Sequence, residues 1–365
     1  MNDTPTKRHW LLAPLTALYS MVVGIRNQLF DWRMLPSEEF DLPVISVGNL
    51  TVGGTGKTPH TEYLIEFLKN QYKVAFLSRG YKRKSTGYRL ATASSTPQAI
   101  GDEPYQIKKK FPDIHVAVDT DRRHGIHKLC KDSASNDTEV VLLDDAFQHR
   151  YVTPGINIVL MDYNRPIYED ALMPMGMLRE PASSLHRAQV IIVTKCPKDI
   201  KPIDFRIVNK HLDLRPYQHL FFTTFAYGAL RSFALPKQEK ALSSITADTH
   251  IVLVTGIASA APLVEKLQEY TPNITHMEYD DHHYFSHAEL QAIEKTFNAI
   301  DAKDKLIITT EKDAARLSGY ALNETIAQNM HVLPIEVKFL QNQQEKFNHY
   351  ITDYVSKNSR NRIVH

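Results

Sequence analysis

Gly53-Gly54-Thr55-Gly56-Lys57-Thr58 puts a lysine and a hydroxyl at the end of a glycine-rich turn. Glycines let the backbone bend sharply and approach a ligand without a Cβ in the way. Successive N–H groups in such a loop converge on an anion, and the first turn of a following helix adds positive charge. Lys57 would reach the β- and γ-phosphates of a nucleotide, and the Thr58 hydroxyl would bind Mg2+. The usual phosphate-loop pattern places its first glycine where this chain has Thr51. Gly48 and the Gly53-Gly54 pair bracket that position instead. The expected nucleotide-binding run is therefore Thr51, Val52, Gly53, Gly54, Thr55, Gly56, Lys57 and Thr58.

Three further groups carry chemistry. Asp144 and Asp145 end the apolar run Val140-Val141-Leu142-Leu143. A carboxylate ending a buried strand downstream of a phosphate loop holds Mg2+; the second aspartate would serve equally as a helix N-cap. Asp102, in Gly101-Asp102-Glu103-Pro104, is either an N-cap or a carboxylate base for a hydroxyl. Pro174 to Pro181 is a loop that offers Arg179 to phosphate and Glu180 to a metal or its water shell. A salt-bridged surface turn would account for the same pair.

The elements around these residues alternate between strand and helix. Leu42 to Val47 reads as a strand before the loop, and Pro59, Tyr63, Leu64, Phe67 and Leu68 follow at helical spacing. Apolar strands recur at 74–77, 116–118, 140–143, 156–161 and 190–193, each ending in polar residues. Continuous apolar strands of this kind belong to a buried parallel sheet with helices on both faces. Ligands bind beyond the carboxyl ends of such strands. A β-rich stretch, 220–225, precedes a linker-like one, and a second strand–helix series begins at Ile251. The expected fold class is α/β: a P-loop NTPase-type, doubly wound, mostly parallel sheet with a second, smaller α/β domain. The expected divisions are an N-terminal apolar helix over 1–35, a core at 36–228, a linker at 229–245 and the smaller domain at 246–355.

Trp10 to Ile25 contains no charged residue and follows Lys7-Arg8-His9. The run is short against the roughly 20 residues of a membrane span. It reads as a helix lying in or on a membrane interface, anchored by flanking arginine and tryptophan. A signal peptide and a core helix are the alternatives.

At 365 residues the chain is long enough for one large domain or two ordinary ones. A net charge of +2 is too small for a nucleic-acid binder. Two cysteines, Cys130 and Cys196, form neither a disulfide framework nor a zinc ribbon.

Ser46-Val47-Gly48-Asn49-Leu50-Thr51-Val52-Gly53-Gly54-Thr55-Gly56-Lys57-Thr58-Pro59 resembles the tetraacyldisaccharide 4'-kinases, the lipid A 4'-kinases of Gram-negative bacteria. Ser78-Arg79-Gly80-Tyr81, Gly101-Asp102-Glu103-Pro104, Asp144-Asp145-Ala146-Phe147-Gln148-His149 and Leu178-Arg179-Glu180-Pro181 resemble the family too, as do Asp281-His282 and Thr310-Glu311-Lys312-Asp313. The resemblance implies ATP as phosphate donor, Mg2+ as cofactor and an acylated glucosamine disaccharide 1-phosphate as acceptor. It implies work at the cytoplasmic face of the inner membrane, with no obligate protein partner. It pairs Asp102 with His282 at the acceptor hydroxyl and sets Arg79 with Arg179 as phosphate-facing cations. It also keeps Lys57 as a catalytic group and Thr58, Asp144, Asp145 and Glu180 around the metal. Two other functions fit a phosphate loop. One is a GTPase or partitioning ATPase, although Pro197 replaces the aspartate that would follow Thr194-Lys195. The other is a nucleotide-binding module without chemistry.

Overall fold

The computed structural model describes residues 10–235, 237–257, 259–281 and 283–360. His282 lies outside the described residues. In chain order the strands are β1 (Val44–Asn49), β2 (Val74–Ser78), β3 (Arg89–Leu90), β4 (His115–Val118) and β5 (Val140–Asp144). There follow β6 (Ile156–Asp162), β7 (Val190–Thr194), β8 (His219–Tyr227), β9 (Leu230–Ser232) and β10 (Glu239–Lys240). The series closes with β11 (His250–Thr255), β12 (Ile274–Glu278), β13 (Lys305–Thr310), β14 (Met330–Leu333) and β15 (Ile335–Phe339).

Nine strands form one sheet in the order β15-β8-β7-β6-β1-β5-β2-β4-β3, parallel except at its two edges. Every residue of β1, β2, β5 and β7 is buried, because helices cover both faces. β1 pairs with β5 on one side and β6 on the other. The chain thus fills one half of the sheet before turning to the other, and the crevice beyond the carboxyl end of β1 lies at that switch.

Six strands form a second sheet, β10-β9-β14-β13-β11-β12. The stretch 229–245, expected to be a linker, contributes β9 and β10 to its edge. The chain then returns: β15 pairs antiparallel with β8, and helix Gln344–Arg360 packs Phe347, Ile351 and Val355 into the core of the first sheet. Tyr354 on this helix takes the backbone of Val44 as partner, with its Oη 3.1 Å from the Val44 nitrogen. From β15 onward the described chain is therefore built onto the first sheet, not the second.

A part-buried charge cluster joins helices of the two sheets. Lys110 Nζ stands 2.6 Å from both Glu62 Oε2 and Glu311 Oε1. Burial and the charge of Glu311 push the Glu62 carboxyl up to about 7, against the pull of Lys110.

Helix Ala13–Asp31 sits outside both sheets and buries only Phe30. Its C-terminal half is fastened by Arg150, which donates to the Asn27 carbonyl at 2.9 Å and to Asp31 at 2.6 Å. No helix among the described residues is long and apolar enough to cross a membrane.

Candidate active site

The crevice at the end of β1 is built by three loops. Thr51, at the position of the missing glycine, forms an antiparallel bridge with Leu178. That extended pairing suits any residue, so glycine is not required there. The Val52 N–H donates to the Met177 carbonyl at 2.9 Å, and the Arg179 N–H to the Leu50 carbonyl at 2.7 Å. The loop 174–181 thus lies alongside the phosphate loop as an added strand.

Positive φ is confined in this loop to Gly53 (104°) and Gly56 (86°), where glycine is the favoured residue. Gly48 faces the segment after β5 so closely that a Cβ there would stand 2.8 Å from Phe147 Cβ. Asn49 holds the Thr55 hydroxyl at 2.9 Å, and Thr194 at the end of β7 donates to the Thr55 carbonyl at 2.9 Å. Helix Lys57–Leu68 begins directly after Gly56. Lys57 and Thr58 thus stand in its first turn, with its free N–H groups. Lys57 Nζ is 3.7 Å from Asp145 Oδ1.

Asp144 and Asp145 take different roles. Asp144 ends β5 opposite Val47 and is buried, accepting from Ser78 Oγ at 2.9 Å. Burial, then the charges of Glu103 and Asp145, push its carboxyl up to about 7; Lys57 and Ser78 act the other way. Asp145 has φ +43° and opens no helix. Its carboxylate faces Lys57 and also Arg179 Nη1, at 3.0 Å. Gln148 braces the group, donating to the Asn49 carbonyl at 2.9 Å. Arg122 Nη2 reaches the Asp144 carbonyl at 3.2 Å. Burial lowers the Arg122 pKa, and the charge of Arg79, exposed just after β2, acts in the same sense.

Among the described residues no three His, Cys, Asp or Glu side chains are grouped so as to hold a metal by themselves. The donor set still fits Mg2+, which keeps several waters and takes one or two carboxylates plus phosphate oxygens. A buried carboxyl crowded by two acidic neighbours is the kind of group a divalent cation relieves. Glu180 is placed differently from the expectation. It is buried and paired with Arg187, with Arg26 Nη1 3.9 Å from its second oxygen. Arg187 takes one carboxylate oxygen, and the other, Oε1, is buried without a hydrogen-bond partner among the described residues.

Asp102 is the first residue of helix Asp102–Lys110, and Gly101 is the N-cap. Its carboxylate is turned to the second sheet instead of capping its own helix. Tyr284 Oη donates to Oδ1 at 2.9 Å, and Arg316 Nε to Oδ2 at 3.2 Å. Arg316 also donates through Nη1 to Asp313 Oδ1 at 3.0 Å and to the Gly256 carbonyl at 3.1 Å. Sequence reasoning missed Tyr284, Arg316, Glu103 and Ser78 as members of the site. The i, i+3 spacing of Asp313 and Arg316 was the available signal, but it does not say which helix the pair faces.

The arrangement can bind a triphosphate on backbone amides and Lys57, gather a cation at Asp144, and present a fixed carboxylate to a hydroxyl. A family model described as tetraacyldisaccharide-1-P 4'-kinase matches residues 8–356. A tetraacyldisaccharide 4'-kinase from Phocaeicola vulgatus is 54% identical over 96% of this chain and 96% of its own length. One from Bacteroides thetaiotaomicron is 52% identical over 99% and 97%. Among solved structures, LpxK from Aquifex aeolicus in complex with ATP superposes with a TM-score of 0.75. It is 27% identical and covers 96% of this chain and 100% of that one.

Proposed function

This chain belongs to the tetraacyldisaccharide-1-P 4'-kinase family, and from that premise we propose how its residues carry out phosphoryl transfer. The enzyme is an ATP-dependent kinase that acts on the 4'-hydroxyl of a tetraacyldisaccharide 1-phosphate, the lipid A precursor, and yields lipid IVA. Asp102 accepts the proton of the 4'-hydroxyl as its oxygen bonds to the γ-phosphorus. The bond from that phosphorus to the β,γ-bridging oxygen breaks, and ADP leaves with the electron pair. What supports this reading is a buried carboxylate, Asp102, held by Tyr284 and Arg316 and next in the chain to Gly101, which packs against Gly80, and to Glu103, whose charge reaches Asp144.

Catalysis of this kind is mostly positioning and charge stabilisation. Gly53, Gly54 and Gly56 supply amides to the phosphates, Lys57 holds the transferring group, and Arg79 with Arg179 faces the phosphates of donor and acceptor. When bound, Mg2+ neutralises phosphate charge; Thr58 and Asp144 would hold it, with Asp145 near by. Glu180, as an expected member of that set, would act through Arg187 and Arg26. His282 is assigned beside Asp102 on the family resemblance alone.

The acceptor is a lipid, and the N-terminal helix has a matching surface. Leu11, Leu15, Leu18, Val22 and Ile25 follow one another at intervals of three and four residues and are all exposed. This face is proposed to lie in the cytoplasmic surface of the inner membrane. Tyr19 and Arg26, on the flank of this stripe, donate to the backbone of Arg179 and Gln148 at 2.8 Å each, which ties the membrane-facing helix to the site. No further protein is needed for this chemistry. The test is ATP turnover by the purified protein with and without tetraacyldisaccharide 1-phosphate in mixed micelles. Acceptor-dependent ADP release is expected; equal release without acceptor would overturn the reading.

A further inference from the structure

Arg316 is almost fully buried and sits between two carboxylates. Its Nε is 3.2 Å from Asp102 Oδ2, and its Nη1 is 3.0 Å from Asp313 Oδ1. Asp313 is itself immobilised. Its Oδ2 accepts from the Gly256 N–H at 2.9 Å and from Thr310 Oγ1 at 2.7 Å. Gly256 follows β11 and Thr310 ends β13, so the chain of contacts runs from the centre of the second sheet to the carboxylate of Asp102. Space there is tight: a Cβ at Gly256 would stand 3.1 Å from Asp313 Oδ1. Tyr284 takes the other Asp102 oxygen.

A guanidinium presents its donors in a rigid planar fork, whereas an ammonium is a single point charge. Only the fork can hold Asp313, the Gly256 carbonyl and Asp102 at once and so fix the plane of the Asp102 carboxylate. Its partners are not surface groups, and nothing in phosphate binding calls for them. We infer that Arg316 is a positioning residue, assisted by Tyr284, that sets the orientation of Asp102 and makes it depend on the second sheet. The inference rests on the role proposed above for Asp102. Misplacing a reacting group by about 1 Å costs on the order of 10²-fold in rate, so this linkage bears directly on turnover.

The test is a double-mutant cycle on kcat, with the KM for ATP and the thermal midpoint followed in parallel. Arg316→Lys keeps the charge and loses the fork. It is expected to lower kcat by about 10- to 10²-fold while the KM for ATP stays within about twofold. In the Asp102→Asn background the same change is expected to cost less than about twofold, because groups that act as one unit are not additive. Tyr284→Phe, which removes one hydroxyl and keeps the ring, runs through the same cycle should Arg316→Lys fail to fold. An equal loss in both backgrounds, or an unchanged kcat, overturns the inference alone. An Asp102→Asn enzyme with wild-type kcat overturns the choice of base and the inference with it.

Discussion

Lys57 and Asp145 face each other at the mouth of the phosphate loop, with Nζ 3.7 Å from Oδ1 and side chains 14% and 31% exposed. The contact is loose and part-solvated, and such pairs contribute little to stability. Arg179 holds the same carboxylate more closely, at 3.0 Å. A triphosphate carries more charge than one carboxylate, so the lysine is free to exchange Asp145 for a nucleotide while Arg179 keeps Asp145 in place.

Lys57→Ala is therefore expected to leave the fold intact and remove transition-state stabilisation. A loss of about 10²–10³ in kcat is typical for one such donor. Circular dichroism and the thermal midpoint should be nearly unchanged. Retention of more than about a tenth of wild-type kcat would contradict the role given to this lysine.

Glu62 gives a signature in stability against pH. Its carboxyl is pushed up to about 7 by burial and by Glu311. A carboxyl raised in the folded state contributes most below its ordinary value, about 4.3, and loses that contribution as pH rises through about 7. His60 and His149, each held near 4 chiefly by burial, act in the opposite sense: their contribution is present above about 6.5 and is lost as pH falls toward 4. Glu62→Gln removes the first effect and leaves the second. Calorimetry should show a smaller fall in Tm between about pH 5 and pH 8 for the variant than for the wild type. Parallel curves would show that Glu62 titrates as an ordinary carboxyl.

The apolar stripe can be tested without disturbing the site. Leu18 and Val22 are exposed, while Tyr19 and Arg26 make the contacts to the loops. Leu18→Glu with Val22→Glu should move the protein from vesicles into the supernatant and leave kcat on detergent-dispersed acceptor unchanged. Undiminished sedimentation with vesicles would count against the stripe as the membrane contact. Removing residues up to Arg26 is a poorer test, because it also takes away the partners of Glu180, Arg179 and Gln148.

The strands of the first sheet were legible because burial on both faces writes continuous apolar runs such as Val140 to Leu143. The phosphate loop was legible because glycine is favoured where φ is positive, as at Gly53 and Gly56. The irregular first glycine became intelligible only with Leu178 beside Thr51, a contact 127 residues distant in the chain. Strands β9 and β10 are 3 and 2 residues long, too short to show a period. The return of β15 to the first sheet has no local signal, since either sheet would accept an alternating strand. Arg316 and Tyr284 escaped for the same reason: the partner that gives each its meaning, Asp102, lies 214 and 182 residues away. Glu180 was assigned from residue type, and only the fold shows Arg187 across from it.

The most direct test is mass spectrometry of the acceptor after incubation with ATP, Mg2+ and either the wild-type protein or Asp102→Ala. The wild type should add one phosphate to tetraacyldisaccharide 1-phosphate, and fragmentation should locate it on the 4' position. Asp102→Ala should make the same product about 10²- to 10⁴-fold more slowly, as expected for loss of a general base. A phosphate at another position, ATP consumed with no gain of mass in the lipid, or an Asp102→Ala protein as fast as the wild type would contradict the account.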